Sequence, residues 1–281
     1  MKKSQKITSI VIFAILIVLI LVGIIFTGGE KESEGTIQEV MRDAVLHESF
    51  KVSLFGIKEV NPGLISAFTV TGILFVFSLI VRIFVIPKFS YVPGKFQLIL
   101  EEAVNIFDNL AKGNSPHRNR FLSAYIFTAG AYIFVGTLFE LFGIQAPTVA
   151  GGTVALPAPL ADVNGAIMMG CLSYLVIMTG GIATNKIKGI GLTLKEFSLP
   201  ISMSFRLFGA LLSGALVTEL VYYYTALSYV VPIIVGVLFT LLHALIQAYV
   251  LTMLTSLFYG EVSEPIVKKK KEKVKKVEAT E

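Results

Sequence analysis

Charged residues are scarce in this chain of 281 residues, since Asp, Glu, Lys and Arg together make up 15% of it, against 54% hydrophobic residues. A soluble domain of this size cannot bury so much apolar surface. The low charge content therefore excludes an ordinary soluble protein. It indicates an integral membrane protein whose main solvent is the lipid bilayer.

Groups that commonly carry chemistry are also missing. The single cysteine, Cys171, excludes an intrachain disulfide, and it lies within an apolar run where it serves as a small hydrophobe. The sequence contains no G-x-x-x-x-G-K-[ST] phosphate loop, and its three scattered histidines form no metal-ligand cluster. We therefore expect no catalytic residue, no cofactor and no metal, and no enzyme activity of the chain on its own.

The apolar residues come in runs long enough to cross a hydrocarbon core of about 30 Å, which takes about 20 helical residues. They are continuously apolar and lack the alternation of a barrel strand, so they predict an all-α protein. No internal repeat of fixed period is visible. The runs are 7–26, 64–86, 121–144, 166–184, 197–226 and 233–259, which makes five core segments and an N-terminal anchor or signal segment.

The positions of the basic residues indicate one side of a membrane rather than a nucleic-acid surface. If the N-terminus starts in the cytoplasm, 19 of the 24 Lys and Arg residues are cytoplasmic. The positive-inside rule then places the C-terminus in the cytoplasm and residues 30–63 outside. The Lys-rich end of the chain, residues 261–281, is expected to be a solvated cytoplasmic tail.

Two further segments have recognisable patterns. Residues 92–110 show apolar side chains at helical spacing, which predicts an amphipathic helix lying along the cytoplasmic interface. Residues 145–159 are rich in Gly and Pro, which predicts an irregular external segment. The fifth run is much longer than the hydrocarbon thickness, so we expect the last two segments to form a long, tilted two-helix hairpin.

Arg206 is the one basic residue within a spanning segment other than near its ends. An arginine there costs about 3 kcal/mol on insertion scales, so it needs a compensating role. Snorkelling works near helix ends and does not suit this position. Two compensating roles remain: a structural ion pair within the chain, and a place beside an aqueous path through the membrane.

Small and polar residues accompany Arg206 at helical spacing. Ser202, Gly209 and Ser213 share its face of the fifth segment. On the last segment, Thr240, His243 and Gln247 form a matching stripe. Such a stripe can be packing alone, but opposite an intramembrane arginine it favours a hydrated path.

Depth along the helices suggests where such a path opens. Glu219 lies about 20 Å beyond Arg206 toward the external side. His243 is displaced outward from Gln247 by one turn, so Glu219 and His243 can meet in the outer leaflet and pass a proton. Alternatively, Glu219 is an interfacial residue near the end of its helix.

The segments 200–209, PISMSFRLFG, and 246–255, IQAYVLTMLT, resemble the two-helix signature of subunit a of bacterial F-type ATP synthases. A weaker resemblance extends over 92–95 and 161–164, in matching order. Together these segments span about residues 64–260. Two positions depart from the family pattern: Ala210 stands where an Asn commonly follows, and Ala215 stands where many relatives carry an acidic residue.

The resemblance implies a stator held against a ring of c subunits, each with a membrane-buried carboxylate. It implies peripheral-stalk b subunits and the lipid bilayer as further partners, a soluble catalytic head contacted indirectly, and a bacterial cell membrane as the location. Residues 64–260 would then be a membrane ion-translocation domain, flanked by an anchor or signal segment (1–29), an external loop (30–63) and a tail (261–281). The residues implied for translocation of H⁺ or Na⁺ are Arg206, Gln247, Glu219, His243, Ser202, Asp162 and Asn164.

Two other interpretations of the sequence stay open at this point. A secondary transporter or channel of six spans can use Arg206 to hold an anionic substrate, although many transporters contain paired repeats that are not visible here. A structural membrane anchor is the second, and it would tolerate an apolar residue at position 206.

Overall fold

A computed structural model of the chain describes residues 52–54, 57–147, 153–223 and 234–265, with single positions at 18, 36, 38 and 42. Within these residues, five helices are long and apolar enough to cross a membrane. They coincide with the five predicted core segments, whereas the predicted first segment lies outside the described residues apart from Val18. The five helices are Pro62–Lys88, Asn119–Phe142, Val163–Asn185, Ser198–Thr218 and Gly236–Ser263.

The regular elements follow one another in a simple order. The α-helices are α1 (Pro62–Ile80), α2 (Lys95–Asn114), α3 (Asn119–Phe139), α4 (Val163–Asn185), α5 (Ile187–Lys195), α6 (Ser198–Tyr223) and α7 (Leu241–Ser263). A π-helical turn, Val81–Val85, continues α1, and another, Gly236–Thr240, leads into α7. The strands are β1 (Val52–Leu54), β2 (Ile57–Val60), β3 (Gln145–Pro147) and β4 (Thr153–Ala155).

The short strands are an addition to the predicted all-helical fold. The predicted irregular segment at 145–159 contains the antiparallel hairpin of β3 and β4, with Ala146 opposite Val154. The backbone nitrogen of Leu156 donates to the carbonyl oxygen of Ile144 at 2.8 Å and closes the pair. Pairing satisfies backbone groups that a loop near a membrane cannot all expose to water, which is why even a Gly-rich and Pro-rich segment adopts it.

The core of the bundle is formed by α3, α4, α6 and α7. Most of its buried side chains are apolar, a few are hydroxyl groups such as those of Ser173, Thr252 and Thr255, and glycines let the helices approach closely. A Cβ on Gly180 of α4, for example, would lie 2.5 Å from the ring of Tyr259 of α7. By contrast, most of the apolar surface of α1 is exposed, which suits a helix surrounded by lipid.

The amphipathic segment predicted at 92–110 is a helix over Lys95–Asn114. It packs on the bundle through Ala111, which is buried, and Phe107, whose ring meets that of Phe127 edge-on at 5.6 Å. Other apolar side chains of α2, such as Ile99 and Ile106, are exposed. The helix is therefore confirmed, and its place at the membrane surface stays a prediction.

At one end of the bundle Arg118 donates to the carbonyl oxygen of Ala183, and Lys186 and Lys188 follow the end of α4; we call this the basic end. There the end of α7 is held by hydrogen bonds from two other elements. Asn185 Nδ2 donates to the carbonyl oxygens of Val262 at 3.1 Å and Glu264 at 2.8 Å, and His117 Nε2 lies 2.6 Å from the carbonyl oxygen of Ser263. These bonds occupy carbonyl groups that the end of a helix leaves without an intrahelical partner.

The short helix α5 folds back along α4 instead of continuing away from the bundle. Gly181 and Gly189 touch backbone to backbone, and the hydroxyl of Tyr174 donates to the carbonyl oxygen of Thr193 at 2.9 Å. Tyr174 lies eleven residues before the last residue of α4. At 1.5 Å per residue, α6 therefore starts on the order of 15 Å short of the basic end.

Candidate functional site

Arg206 lies on α6 eight residues after its first residue, with its side chain exposed on the outside of the chain. Ser202, Gly209 and Ser213 are exposed on the same side, together with Phe205, which is 69% exposed. The predicted stripe of small and polar residues is thus one open face. We call this set of five residues the open face of α6.

No hydrogen bond or ion pair reaches the guanidinium of Arg206 from any residue that the structure describes. The adjacent residues on the other side of the helix, Met203 and Leu207, are each 1% exposed and anchor α6 in the bundle. Arg206 is therefore held in place by its helix, and its charged side chain is exposed on the outside of the described bundle. The alternative of a fixed ion pair within the chain finds no support among the described residues.

Gln247 is brought close to Arg206, as the facing stripes predicted. The two side chains line one crevice between α6 and α7, and Gln247 is 6% exposed. An amide at this place offers both an acceptor and donors to a neighbouring guanidinium or carboxylate. The other lining residues are Met203, Leu207, Val250, Leu251 and Leu254.

His243 lies beside α6 further from the basic end. A Cβ on Gly214 would be 3.8 Å from its Nδ1, and the ring of Phe239 lies 5.8 Å away, centroid to centroid. Gly214 is eight residues beyond Arg206, about 12 Å along the helix. Glu219 belongs to the same helix, but its side chain lies outside the described part, so its meeting with His243 stays a prediction.

Asp162 and Asn164 lie at the end of the bundle opposite the basic end. The carboxylate of Asp162 accepts from the backbone nitrogen of Asn164 at 2.7 Å and caps α4, while its other oxygen accepts from Nδ2 of Asn61. Asn61 in turn caps α1 by accepting from the backbone nitrogen of Gly63 at 2.8 Å. These bonds give Asp162 a structural role, whether or not it also borders an ion path.

Three neighbours of the site were not predicted. Asn61 had a readable signal, because an Asn followed by Pro is typical of a helix start. Gly170, which lets α4 come close to Ser204, and Gly214, which lies beside His243, had only the weak signal of glycine within an apolar run.

The arrangement combines a cation at the surface of the bundle, an amide beside it and a histidine about two turns away. Polar and ionisable side chains within spanning helices commonly mark substrate or ion pathways. The family model for the ATP synthase A chain matches residues 64–260, which is more than half of the chain. The chain therefore belongs to the ATP synthase A chain family, a non-catalytic membrane subunit of that complex.

Proposed function

We propose that this chain forms two ion half-channels on the stator of a rotary ATP synthase and couples ion flow to rotation of a ring of c subunits. The observation that supports this proposal is the position of Arg206. It lies in the interior of a spanning helix, its side chain is exposed, and it has no ion-pair partner among the residues that the structure describes. Its desolvation cost is met if an acidic partner passes in front of it. The small residues of the open face of α6 let such a partner approach.

The fixed charge performs two tasks in this mechanism. It stabilises an ionised rotor carboxylate while that group crosses a region of low dielectric, and it repels a proton or Na⁺ that would leak directly between the half-channels. Arginine suits both tasks because its delocalised guanidinium stays protonated even when it is partly desolvated. Gln247, in the same crevice, supports the guanidinium from the facing helix.

The outer half-channel is assigned to the part of the bundle beyond Arg206. His243 borders α6 at Gly214, where the missing side chain leaves room beside the imidazole. Glu219 follows five residues later on α6, and the two groups can relay a proton. Asp162 and Asn164 stand at the outer mouth.

We assign the inner half-channel to the space between the start of α6 and the basic end. Because α5 folds back along α4, the first turn of α6 does not reach the basic end. Near the start of α6 the side chains of Lys195 and Ser202 are exposed, and that of Glu196 is half-buried. An ion leaving the rotor near Ser202 would then have a short way to the cytoplasm.

The partners and the orientation belong to the same proposal. The positive-inside rule makes the basic end cytoplasmic, and with it the C-terminus. Peripheral-stalk b subunits would hold the chain against the ring, in a bacterial cell membrane. The ring's own binding site would decide between H⁺ and Na⁺.

Replacing Arg206 by Ala or Lys tests the proposal through ATP-driven ion pumping in membrane vesicles. We expect both variants to abolish pumping, since Ala removes the charge and Lys lacks the planar, weakly hydrated guanidinium. Arg82→Ala is the matched control, because Arg82 is also exposed on a spanning helix but lies near its end. Near-normal pumping by both Arg206 variants would contradict the proposed function.

A further inference from the structure

The side of α6 that faces away from Arg206 packs against α4 at Gly170. Ser204 is 5% exposed, and its Oγ donates a 2.7 Å hydrogen bond to the carbonyl oxygen of Pro200. A Cβ on Gly170 would overlap this Oγ and lie 2.8 Å from the Pro200 oxygen and 3.1 Å from the Ser204 nitrogen. Ordinary van der Waals contacts begin at 3.4 Å, so the helices touch here without room for a methyl group.

This contact lies two residues from Arg206. Two residues turn an α-helix by about 200°, so Ser204 and Arg206 point to nearly opposite sides of α6. A helix moves as a stiff rod over this distance, and any push at Ser204 carries Arg206 outward. Two of the three atoms nearest to the added Cβ are backbone atoms, so a change of rotamer cannot absorb the push.

We propose that Gly170 is a positioning residue: its missing side chain sets how far the guanidinium of Arg206 projects from the stator. This inference rests on the proposed function and adds a residue that the sequence did not single out. The projection matters because the Coulomb energy between the guanidinium and a passing carboxylate falls with distance, while too close a pair would be long-lived.

The test compares Gly170→Ala, Ser204→Ala and the double variant in the assembled complex. The amount of assembled subunit and the ATP-driven pumping per assembled complex are measured separately. For Gly170→Ala we expect pumping per complex to fall by at least about 10-fold, since misplacing a functional group by 1 Å can cost about 100-fold. Ser204→Ala alone should pump like the parent, and in the double variant it should restore pumping in part, because it removes the oxygen nearest to the new methyl.

Gly180→Ala supplies a packing control. The added Cβ would lie 2.5 Å from the Tyr259 ring, a similarly tight helix contact. Tyr259 is twelve residues from Gln247, about 18 Å along α7, so this strain is remote from Arg206. We expect Gly180→Ala to lower the amount of assembled subunit and to leave pumping per complex unchanged.

Parental pumping per complex by Gly170→Ala would overturn the inference, as would equal uncoupling by Gly180→Ala or the absence of any rescue by Ser204→Ala. If Gly170→Ala does not assemble, the double variant decides: reduced pumping per complex supports the inference, and parental pumping overturns it. Arg206→Ala in the same vesicles distinguishes a failure of the proposed function from a failure of the positioning role of Gly170. Normal pumping by Arg206→Ala would contradict the proposed function itself. Lost pumping by Arg206→Ala together with parental pumping by Gly170→Ala would contradict only the positioning role.

Discussion

Lys186 has an unusual backbone conformation for a residue with a side chain. Its φ of 53° and ψ of −131° join the end of α4 to the start of α5, in a region that glycine occupies far more readily. Such strain costs on the order of 1–3 kcal/mol. We expect Lys186→Gly to raise the free energy of unfolding by about 1 kcal/mol, after the greater freedom of glycine in the unfolded chain is subtracted.

Thermal unfolding of the purified chain in detergent measures this change. Lys188→Gly is the matched control, because Lys188 is exposed and lies in regular helix two residues further on. Glycine there relieves no strain and has the poorer helix propensity, so the unfolding midpoint should fall. A lower unfolding midpoint for both variants would show that position 186 stores no strain.

The residues of the site differ in how far the sequence could predict them. The place of Arg206 inside a spanning helix was predictable from the apolar run around it, and the place of Gln247 beside it was predictable from helical spacing. Contacts such as that of Gly170 with Ser204 depend on how two distant helices meet. Helical spacing in one segment carries no information about that meeting.

Among the helices, α1 and α4 are tied together at their first residues. Asp162 caps α4 and also accepts from Asn61, which caps α1. We expect Asp162→Ala to destabilise the chain by about 1–2 kcal/mol, because it removes a cap and leaves the Asn61 amide without this acceptor. Asp162→Asn should lose less than Asp162→Ala, since the single amide oxygen of Asn can still cap α4 although it cannot also accept from Asn61. Thermal unfolding in detergent distinguishes the two variants, and equal loss in both would contradict the capping role.

Hydropathy predicted the spanning helices well, because length and apolar content alone decide whether a helix can cross a bilayer. It could not predict that the chain turns back at α5 before α6 begins. That helix is nine residues long and contains two glycines, so neither its length nor its helix propensity stands out. Its path depends instead on tertiary contacts such as the bond from Tyr174 to Thr193.

At the scale of the whole molecule, the open face of α6 is a surface that the residues described by the structure leave uncovered. A Cβ on Gly209 would meet nothing within 4 Å, so Gly209→Leu should leave the isolated chain at least as stable in thermal unfolding, helped by the better helix propensity of Leu. Under the proposed function, the added side chain would fill space that a ring helix needs in the assembled synthase. We therefore expect ATP-driven pumping in vesicles to fall by at least about 10-fold, the result of a misplacement near 1 Å. Gly72→Leu, at an equally open position on α1, should pump normally, and parental pumping by Gly209→Leu would show that the ring does not contact this face.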